Sequence, residues 1–463
     1  MLAQRLSKGI LAFGVASLLY SGCPPPAWGI VEADRLWLVG ERAFADRLYA
    51  VSRRSLERFV KSYPDEPRVA EATLLLGKSQ FGLGEFQPAL ENFRKAQRVS
   101  PPPGLPEEAR FWEAETLFRL KRYAEARAAY DALLAANAAA PAAPDAMYGL
   151  AWAELELKRP EAAATAFRQL LTAWPDSPLA SSATFYLARA LVELKKPAEA
   201  VELLAPFVSR YPRHAQAPEA RYLLGLSRLA VGGIADGLQD LRKFVAAHPR
   251  HELTVAARRA IADALLKQGS KPELAQEYQT LMAQSPPTAE GLYDAGLIAQ
   301  HLGRAKDAES AWRRVRAEFS THALAARASL ELAQAAFKRN QFKEASTLAK
   351  PASESDDETV RIEAFLIMGE SELKQQRFQS ALKTFQEAAA VEGVDPVLRF
   401  RALAGSGLAH EELGQAKEAA RLYAEVAADS PDKALKQWAK DRLAAVRAKA
   451  KPPAQPKTEK PKS

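Results

Sequence analysis

The sequence predicts an all-α protein assembled from repeated pairs of helices. Three observations support this fold class. A bulky residue recurs about every 37 residues, a small residue recurs 16 positions before it, and alanine is abundant while alternating runs of Val, Ile and Thr are nearly absent. Alanine is the best helix former and lets helices approach closely. Because repeat arrays grow by stacking units, a chain of 463 residues does not require one large core.

The recurring bulky residue, which we call the marker residue, defines eleven units. The first seven markers are spaced 37 residues apart, and the later steps are 34, 37, 36 and 38 residues. The markers are Leu56, Phe93, Tyr130, Phe167, Leu204, Leu241, Tyr278, Trp312, Ala349, Phe385 and Tyr423, and Ala349 is the one small residue among them.

Small residues keep two fixed distances from the markers. Sixteen positions before every marker lies Gly or Ala, as at Gly77 and Gly225. Four positions before the marker, Ser, Ala or Gly occurs in every unit except the one with Leu274. Two antiparallel helices pack closely only where small residues meet, so a glycine is favoured there although it costs about 1 kcal/mol relative to alanine. A proline eight positions after many markers, such as Pro101, ends the second helix of the unit.

This arrangement resembles the tetratricopeptide repeat family. The residues that match the family pattern in one unit are Gly77, Gly84, Phe86, Ala89, Phe93, Ala96 and Pro101, and Phe378-Gln379-Ser380-Ala381 with Phe385 repeats its core. The resemblance covers Glu32 to about Pro431. It implies a right-handed superhelical solenoid of about eleven helix pairs. It also implies a scaffold that binds protein partners, with no cofactor and no enzymatic activity.

The loops between units further resemble those of bacterial envelope proteins. The phrases that carry this resemblance are Tyr63-Pro64-Asp65, Trp174-Pro175-Asp176-Ser177-Pro178 and Tyr211-Pro212. Two families are similar: the tetratricopeptide lipoprotein of the outer-membrane β-barrel assembly machinery, and the periplasmic partner of the Tol-Pal system. The first has about half as many repeats, and the second carries an N-terminal coiled coil that this sequence lacks. The resemblance implies an exported protein of the periplasm, associated with the outer membrane in one interpretation.

The two ends of the chain differ from the repeats. Arg5 and Lys8, the apolar stretch 10–20 and the Pro-rich segment 21–29 have the layout of a signal peptide, predicted at residues 1–29. The repeats then occupy 30–431. A capping helix is predicted at 432–449, and a disordered tail rich in Lys and Pro at 450–463.

Cys23 is the only cysteine, so no intramolecular disulfide can form. The segment Leu19-Tyr20-Ser21-Gly22-Cys23 resembles a bacterial lipoprotein box, although Tyr20 stands where that motif has Leu, Val or Ile. Two interpretations therefore remain open. Cys23 is either removed with the signal peptide or lipidated. Lipidation would bring the protein to the membrane directly, and otherwise contact with the membrane is expected only through a partner.

Charge argues against nucleic-acid binding. The net charge is +8, but Arg447 to Ser463 carries six basic residues and one acid, and Arg5 and Lys8 belong to the predicted signal. The repeats are therefore close to neutral. A nucleic-acid binder needs a basic face on its folded part, so no nucleic-acid partner is expected.

Residue patterns that suggest chemistry have simpler structural explanations. His248 and His251 flank a proline in a loop and lack the spacing of a metal motif, so no metal site is predicted. The glycines near residues 82–84 and 232–237 resemble fragments of phosphate loops, but no strand precedes them. No catalytic residue is predicted.

An aromatic series is the candidate binding site. Aromatic residues recur three positions before the small residue, and Trp152 lies one turn after one of them. The candidate partner-binding residues are Trp37, Phe111, Tyr148, Trp152, Phe185, Tyr222 and Tyr293. The resemblance places this position beside the concave face, where aromatic anchors commonly bind peptides. Packing between repeats is the alternative role.

The sequence thus favours a non-enzymatic periplasmic scaffold in envelope assembly or maintenance. A lipid-anchored component of an outer-membrane assembly or secretion machine is an alternative, and so is an envelope glycan-binding protein.

Overall fold

A computed structural model describes residues 31–98, 101–393 and 395–450. The predicted signal peptide, Cys23 and the tail beyond Ala450 lie outside these residues. Within them the chain forms 23 α-helices and no strand, which confirms the all-α prediction. A helix occupies 433–450, where the capping helix was predicted.

The helices belong to two compact units, one ending at Ala190 and one beginning at Leu191, so the boundary falls within α9. The first unit contains α1 Glu32–Ala45, α2 Tyr49–Ser62, α3 Val69–Gly82, α4 Phe86–Ala96, α5 Leu105–Arg119, α6 Tyr123–Ala136, α7 Ala143–Glu156, α8 Pro160–Ala173 and most of α9 Ala180–Glu193. The second contains α10 Pro197–Arg210, α11 Ala217–Ala230, α12 Ile234–Ala247, α13 Thr254–Gln268, α14 Lys271–Met282, α15 Ala289–His301, α16 Ala305–Glu318, α17 Ala323–Lys338, α18 Phe342–Ala349, α19 Glu358–Lys374, α20 Phe378–Ala389, α21 Pro396–Glu412, α22 Ala416–Asp429 and α23 Lys433–Ala450.

Within each unit the helices pack in pairs, from α1–α2 to α7–α8 in the first unit and from α11–α12 to α21–α22 in the second, and each pair is a repeat. An even-numbered helix also packs against the next odd-numbered helix, as α2 packs against α3 and α10 packs against α11. Odd-numbered helices also contact one another across repeats, as α3 contacts α5 and α17 contacts α19, whereas even-numbered helices make no comparable contacts. The odd-numbered helices therefore line the tighter side of the stack in each unit.

The turn inside a repeat uses a left-handed residue. Ten of the eleven turns in the described chain contain one, namely Arg47, Gly84, Lys121, Lys158, Lys195, Gly232, Gly303, Asn340, Gln376 and Gly414. At Gly84 (φ 78°), the next amide, Glu85 N–H, donates to the carbonyl of Gln80 at 2.9 Å, which satisfies an orphan carbonyl at the helix end. The glycines that resembled phosphate-loop fragments thus include two turn residues, Gly84 and Gly232.

The two helices of a repeat touch where the sequence places its small residues. In the α11–α12 pair, a Cβ added to Gly225 would lie 2.7 Å from Leu241 Cγ and 3.1 Å from the carbonyl oxygen of Gly237. In the first repeat, Ser52 Oγ donates to the carbonyl of Gly40 at 2.8 Å. The residue twelve positions after the small residue therefore contacts the backbone of the small residue. The marker, which lies sixteen positions after the small residue, covers this contact.

The α13–α14 pair departs from this rule. Leu274 stands where the other repeats have a small residue, and it is fully buried, while the marker Tyr278 is only half-buried. The turn has no left-handed residue, since Gly269 has a φ of −74°, and a capping box of Ser270 and Glu273 starts α14 instead. With a leucine at the approach point, α13 contacts α15 more extensively than it contacts α14.

As a result α15 is enclosed on most sides and carries a buried acid. Asp294 is 1% exposed and pairs with Arg259 of α13. Burial raises the pKa of Asp294 to about 7, although the Arg259 guanidinium opposes the shift and the Asp263 and Glu290 carboxylates add to it.

The approach at Gly225 gives a stability prediction. Gly225→Leu should lower the free energy of unfolding by about 1–3 kcal/mol or more, because the side chain overlaps Leu241 and the backbone at Gly237. Urea midpoints followed by far-UV circular dichroism measure the effect. Ala230→Leu, which adds the same side chain at an exposed position of α11, is the control. Equal midpoints for the two variants would contradict the close-approach argument.

Asp294 gives a pH prediction. The pKa of Asp294 is about 7 in the folded chain, against an ordinary value of 3.8 for this side chain. Between these two pH values the folded chain keeps a proton on Asp294 that the unfolded chain has lost. Stability should therefore fall as pH rises from about 4 to 7. Asp294→Asn should remove this fall, as measured by the urea midpoint at several pH values.

The control is Asp263→Asn, because Asp263 is 45% exposed and pairs with the same arginine at 3.3 Å. Parallel pH profiles for the wild type and Asp294→Asn would show that the buried carboxyl is not the source.

Candidate functional site

The aromatic series lies on the odd-numbered helices. Its members differ in exposure. Phe185 is fully buried, Tyr293 is 7% exposed and Tyr148 is 9% exposed, while Trp37, Phe111, Trp152 and Tyr222 are half-buried. The series is therefore not one uniform surface.

Two members of the series are enclosed by the fold. Phe185 is fully buried. Tyr293 donates its hydroxyl to Glu331 Oε1 at 3.3 Å, and its carbonyl accepts from the Trp312 indole N–H at 3.3 Å. Phe185 and Tyr293 therefore expose at most 7% of their surface and offer little area to a partner.

In the first unit, the fold gathers four rings into one cluster, which we call the aromatic cluster: Tyr148, Trp152, Phe167 and Tyr186. Trp152 and Tyr186 meet edge to face with centroids 4.6 Å apart. Tyr148 meets Phe167 edge to face at 5.7 Å and Tyr186 at 6.4 Å. Because Tyr148 is almost buried, the rings that combine packing with exposure are Trp152 and Tyr186.

Tyr186 was not among the residues predicted from the sequence, although its spacing from a marker residue could have identified it. It lies 19 residues after the marker Phe167, on which it stacks at 6.1 Å with an interplanar angle of 22°. Trp112 lies 19 residues after Phe93 and stacks on it at 6.2 Å and 23°. A bulky ring at this spacing therefore stacks one repeat on the preceding one.

The aromatic cluster is amphipathic. Burial raises the pKa of Tyr148, whose hydroxyl also receives hydrogen bonds from Trp152 and Ser182 that oppose the shift. Tyr148, Trp152 and Tyr186 each join an apolar ring to a polar hydroxyl or N–H group, which suits a bound side chain with an apolar stem and a polar end.

The other candidates are local to their own repeats. Trp37 packs on Phe59 at 6.1 Å, and the guanidinium of Arg68 lies 5.9 Å from its ring centroid. In the second unit Tyr222 packs on Phe244 at 5.7 Å. Phe111, in turn, meets Trp112 edge to face at 5.7 Å. These contacts are packing contacts first, and they leave part of each ring exposed.

Buried tyrosine–glutamate pairs were not anticipated from the sequence. The Tyr130 hydroxyl donates to Glu115 Oε1 at 2.6 Å, and Tyr423 donates to Glu411 Oε2 at 3.0 Å. Burial raises the pKa of both Tyr130 and Glu115. A tyrosine marker needs an acceptor for its hydroxyl inside the fold, so these carboxyls have a structural role.

The loop histidines organise turns. His251 Nδ1 accepts from the amide of Leu253 at 3.2 Å, and His322 Nδ1 accepts from the amide of Leu324 at 3.2 Å. His248 lies 6.3 Å from His251, measured between ring centroids, and both rings pack on Phe244. Across the described residues no three His, Cys, Asp or Glu side chains are arranged to hold a metal ion.

None of the described helices is long and apolar enough to cross a bilayer.

Comparison with known proteins identifies the family. The tetratricopeptide repeat model matches residues 40–106, 74–141, 112–178, 160–218, 222–289, 293–350 and 368–434. No curated protein matches the sequence significantly.

Several solved structures are similar at low sequence identity. A tetratricopeptide repeat protein from Parabacteroides merdae is 15% identical, with a TM-score of 0.37, over 62% of this chain and 93% of its own. YrrB, described as having an unusual peptide-binding site, is 19% identical, with a TM-score of 0.37, over 44% of this chain and 99% of its own. PilW, described as a type IV pilus biogenesis factor, is 20% identical, with a TM-score of 0.37, over 48% and 96%. From the family match, which spans most of residues 40–434, this chain belongs to the tetratricopeptide repeat family, a fold of protein-interaction scaffolds.

Proposed function

We propose that the chain is a non-enzymatic periplasmic scaffold that binds a protein segment at the aromatic cluster, in the assembly or maintenance of the cell envelope. The observation that carries this proposal is the pair Trp152 and Tyr186. These rings lie 4.6 Å apart on neighbouring odd-numbered helices and remain half-exposed.

Rigid support makes this pair a suitable anchor. Tyr148 and Phe167 pack beneath it, so binding would require little ordering of the rings. Aromatic residues held in this way are typical hot spots, and an extended or helical segment can place an apolar side chain against them.

The cellular location rests on the N-terminus and the loops. The basic residues Arg5 and Lys8, the apolar stretch 10–20 and the Pro-rich segment 21–29 support export. The inter-repeat phrases such as Tyr63-Pro64-Asp65 support an envelope protein. A lipid-anchored outer-membrane component is the second candidate, because Leu19 to Cys23 resembles a lipoprotein box.

The binding proposal predicts the effect of Trp152→Ala combined with Tyr186→Ala. Loss of hot-spot rings commonly costs about 2 kcal/mol or more, so the affinity for a partner isolated from envelope extract should fall roughly thirtyfold or more. Titration of that purified partner, followed by fluorescence anisotropy, measures the change.

A matched control is the double variant Phe118→Ala and Tyr123→Ala, which removes an edge-to-face pair at 5.2 Å between the end of α5 and the start of α6. Deletion of residues 451–463 should also leave the affinity intact, because the tail follows the capping helix. If the cluster variant keeps its helical signal and binds like the wild type, while the tail deletion abolishes binding, the tail is the recognition element and the cluster proposal is wrong.

The location proposal predicts the natural N-terminus. Mass spectrometry of the protein from its own cells should show a mature chain that begins near Ile30, since Ala27 and Gly29 supply the small residues before that cut. A chain that begins at a diacylglyceryl-modified Cys23 would instead establish the lipid-anchored alternative.

A further inference from the structure

The first repeat exposes an unusual amount of apolar surface. Of the eight large hydrophobic residues that are exposed in the described chain, five belong to α1, α2 or the residues that begin them: Val31, Leu38, Val39, Leu48 and Val51. Leu38 is 54% exposed and Val39 is 41% exposed in the middle of α1.

In later repeats of the same unit, the positions equivalent to Leu38 are at least partly covered, and most of those equivalent to Val39 are buried. Trp112, two repeats after Leu38, stacks on the marker of the preceding repeat, and Tyr186 does the same. Gly149 lies so close to the marker ring that an added Cβ would come within 2.8 Å of Tyr130 Cε1. The positions equivalent to Val39 include Leu76, Leu150 and Leu187, all of them buried. The surface of α1 is therefore a stacking surface, and no described helix covers it.

The other end of the chain is closed. Trp438 of α23 meets Tyr423 edge to face at 5.5 Å, and Ala439 and Val446 of α23 are buried. Head-to-tail stacking of copies would need this end to be open. Symmetric pairing through α1 needs only the one exposed surface.

The sequence of α1 is complementary to itself. An exposed stripe runs along it at spacings of three and four residues: Val31, Asp34, Arg35, Leu38, Glu41, Arg42 and Ala45. Its apolar members are seven residues apart, as in the seam of a coiled coil, and charged residues flank them. If a second α1 lies antiparallel with the two Leu38 residues in contact, Asp34 faces Arg42 and Arg35 faces Glu41, while Val31 faces Ala45.

We propose that two copies of the chain associate through an antiparallel pair of α1 helices centred on Leu38. Charge selects this register, because a shift to the midpoint between Leu38 and Val39 would place Arg35 opposite Arg42. Within one chain Asp34 uses Oδ1 to accept from Arg68 at 2.7 Å, which leaves Oδ2 for Arg42 of the second copy. The intrachain ion pairs Arg35–Glu32 and Arg42–Asp46 are exposed and weak, with N–O distances of 3.7 and 4.0 Å. Ion pairs between the two copies can therefore replace them.

One helix pair buries less surface than a standard interface, so the dissociation constant should lie on the order of micromolar. Sedimentation velocity of the purified protein, with its N-terminus defined by mass spectrometry, should show a reversible monomer–dimer equilibrium between about 1 and 100 μM, given that order of affinity. A chain that stays monomeric over this range would overturn the proposal.

Site-directed changes test the register. Leu38→Arg should weaken dimerisation at least about tenfold, since it opposes two buried charges at the centre. Val255→Arg, at a residue of α13 with 41% exposure, is the matched control and should have no effect.

Charge reversal provides the sharper test. Arg35→Glu alone places two carboxylates opposite each other, and Glu41→Arg alone places two guanidinium groups opposite each other, so each variant should be largely monomeric. An equimolar mixture of these two variants should form a heterodimer, because both opposed pairs are then complementary. Dimerisation that survives Leu38→Arg, or single variants that fail to complement each other in the mixture, would show that copies associate through another surface.

Discussion

The close approach of two helices at a small residue is the contact on which the whole fold depends. In the α11–α12 repeat, Gly225 and Gly237 bring the two backbones together, and Leu241 covers the approach. The same relation joins Gly40 with Leu56, Gly77 with Phe93 and Gly407 with Tyr423. Once the two axes are this close, the marker is enclosed within the repeat, and its far side forms the surface for the next repeat. Each repeat must therefore stack on its neighbour, because a single helix pair cannot bury its apolar face alone.

The α13–α14 repeat shows what happens when this contact is absent. Leu274 lies between the two helices, and α13 packs partly against α15 instead of α14. The consequence reaches Asp294, whose enclosure raises its pKa to about 7. A single large residue at one approach point therefore changes the packing and the electrostatics of the neighbouring repeat.

The aromatic residues have two roles that share one surface. A ring that stacks a repeat on its predecessor, as Tyr186 stacks on Phe167, is held rigidly and still presents an edge to solvent. The same ring can therefore both pack and bind at Trp152 and Tyr186, whereas Phe185 and Tyr293 are enclosed and offer little area to a partner. The loop histidines and the turn glycines belong wholly to the architecture, since they cap turns and supply left-handed conformations.

The sequence by itself determined the helix pairs, their number and their points of approach, because these follow from local spacing that recurs every 34–38 residues. Gly225 and Leu241 could be paired from the sequence for that reason. It also marked aromatic positions on the odd-numbered helices. Only the tertiary structure decided which of those rings are exposed, because exposure depends on the residue that the neighbouring repeat brings against each ring. Tyr148 is buried beside Phe167, whereas Trp152, one turn away, is half-exposed. Leu38 is exposed because no described helix stacks on α1. Periodicity specifies contacts within a repeat, and the volumes of side chains from adjacent repeats decide what remains at the surface.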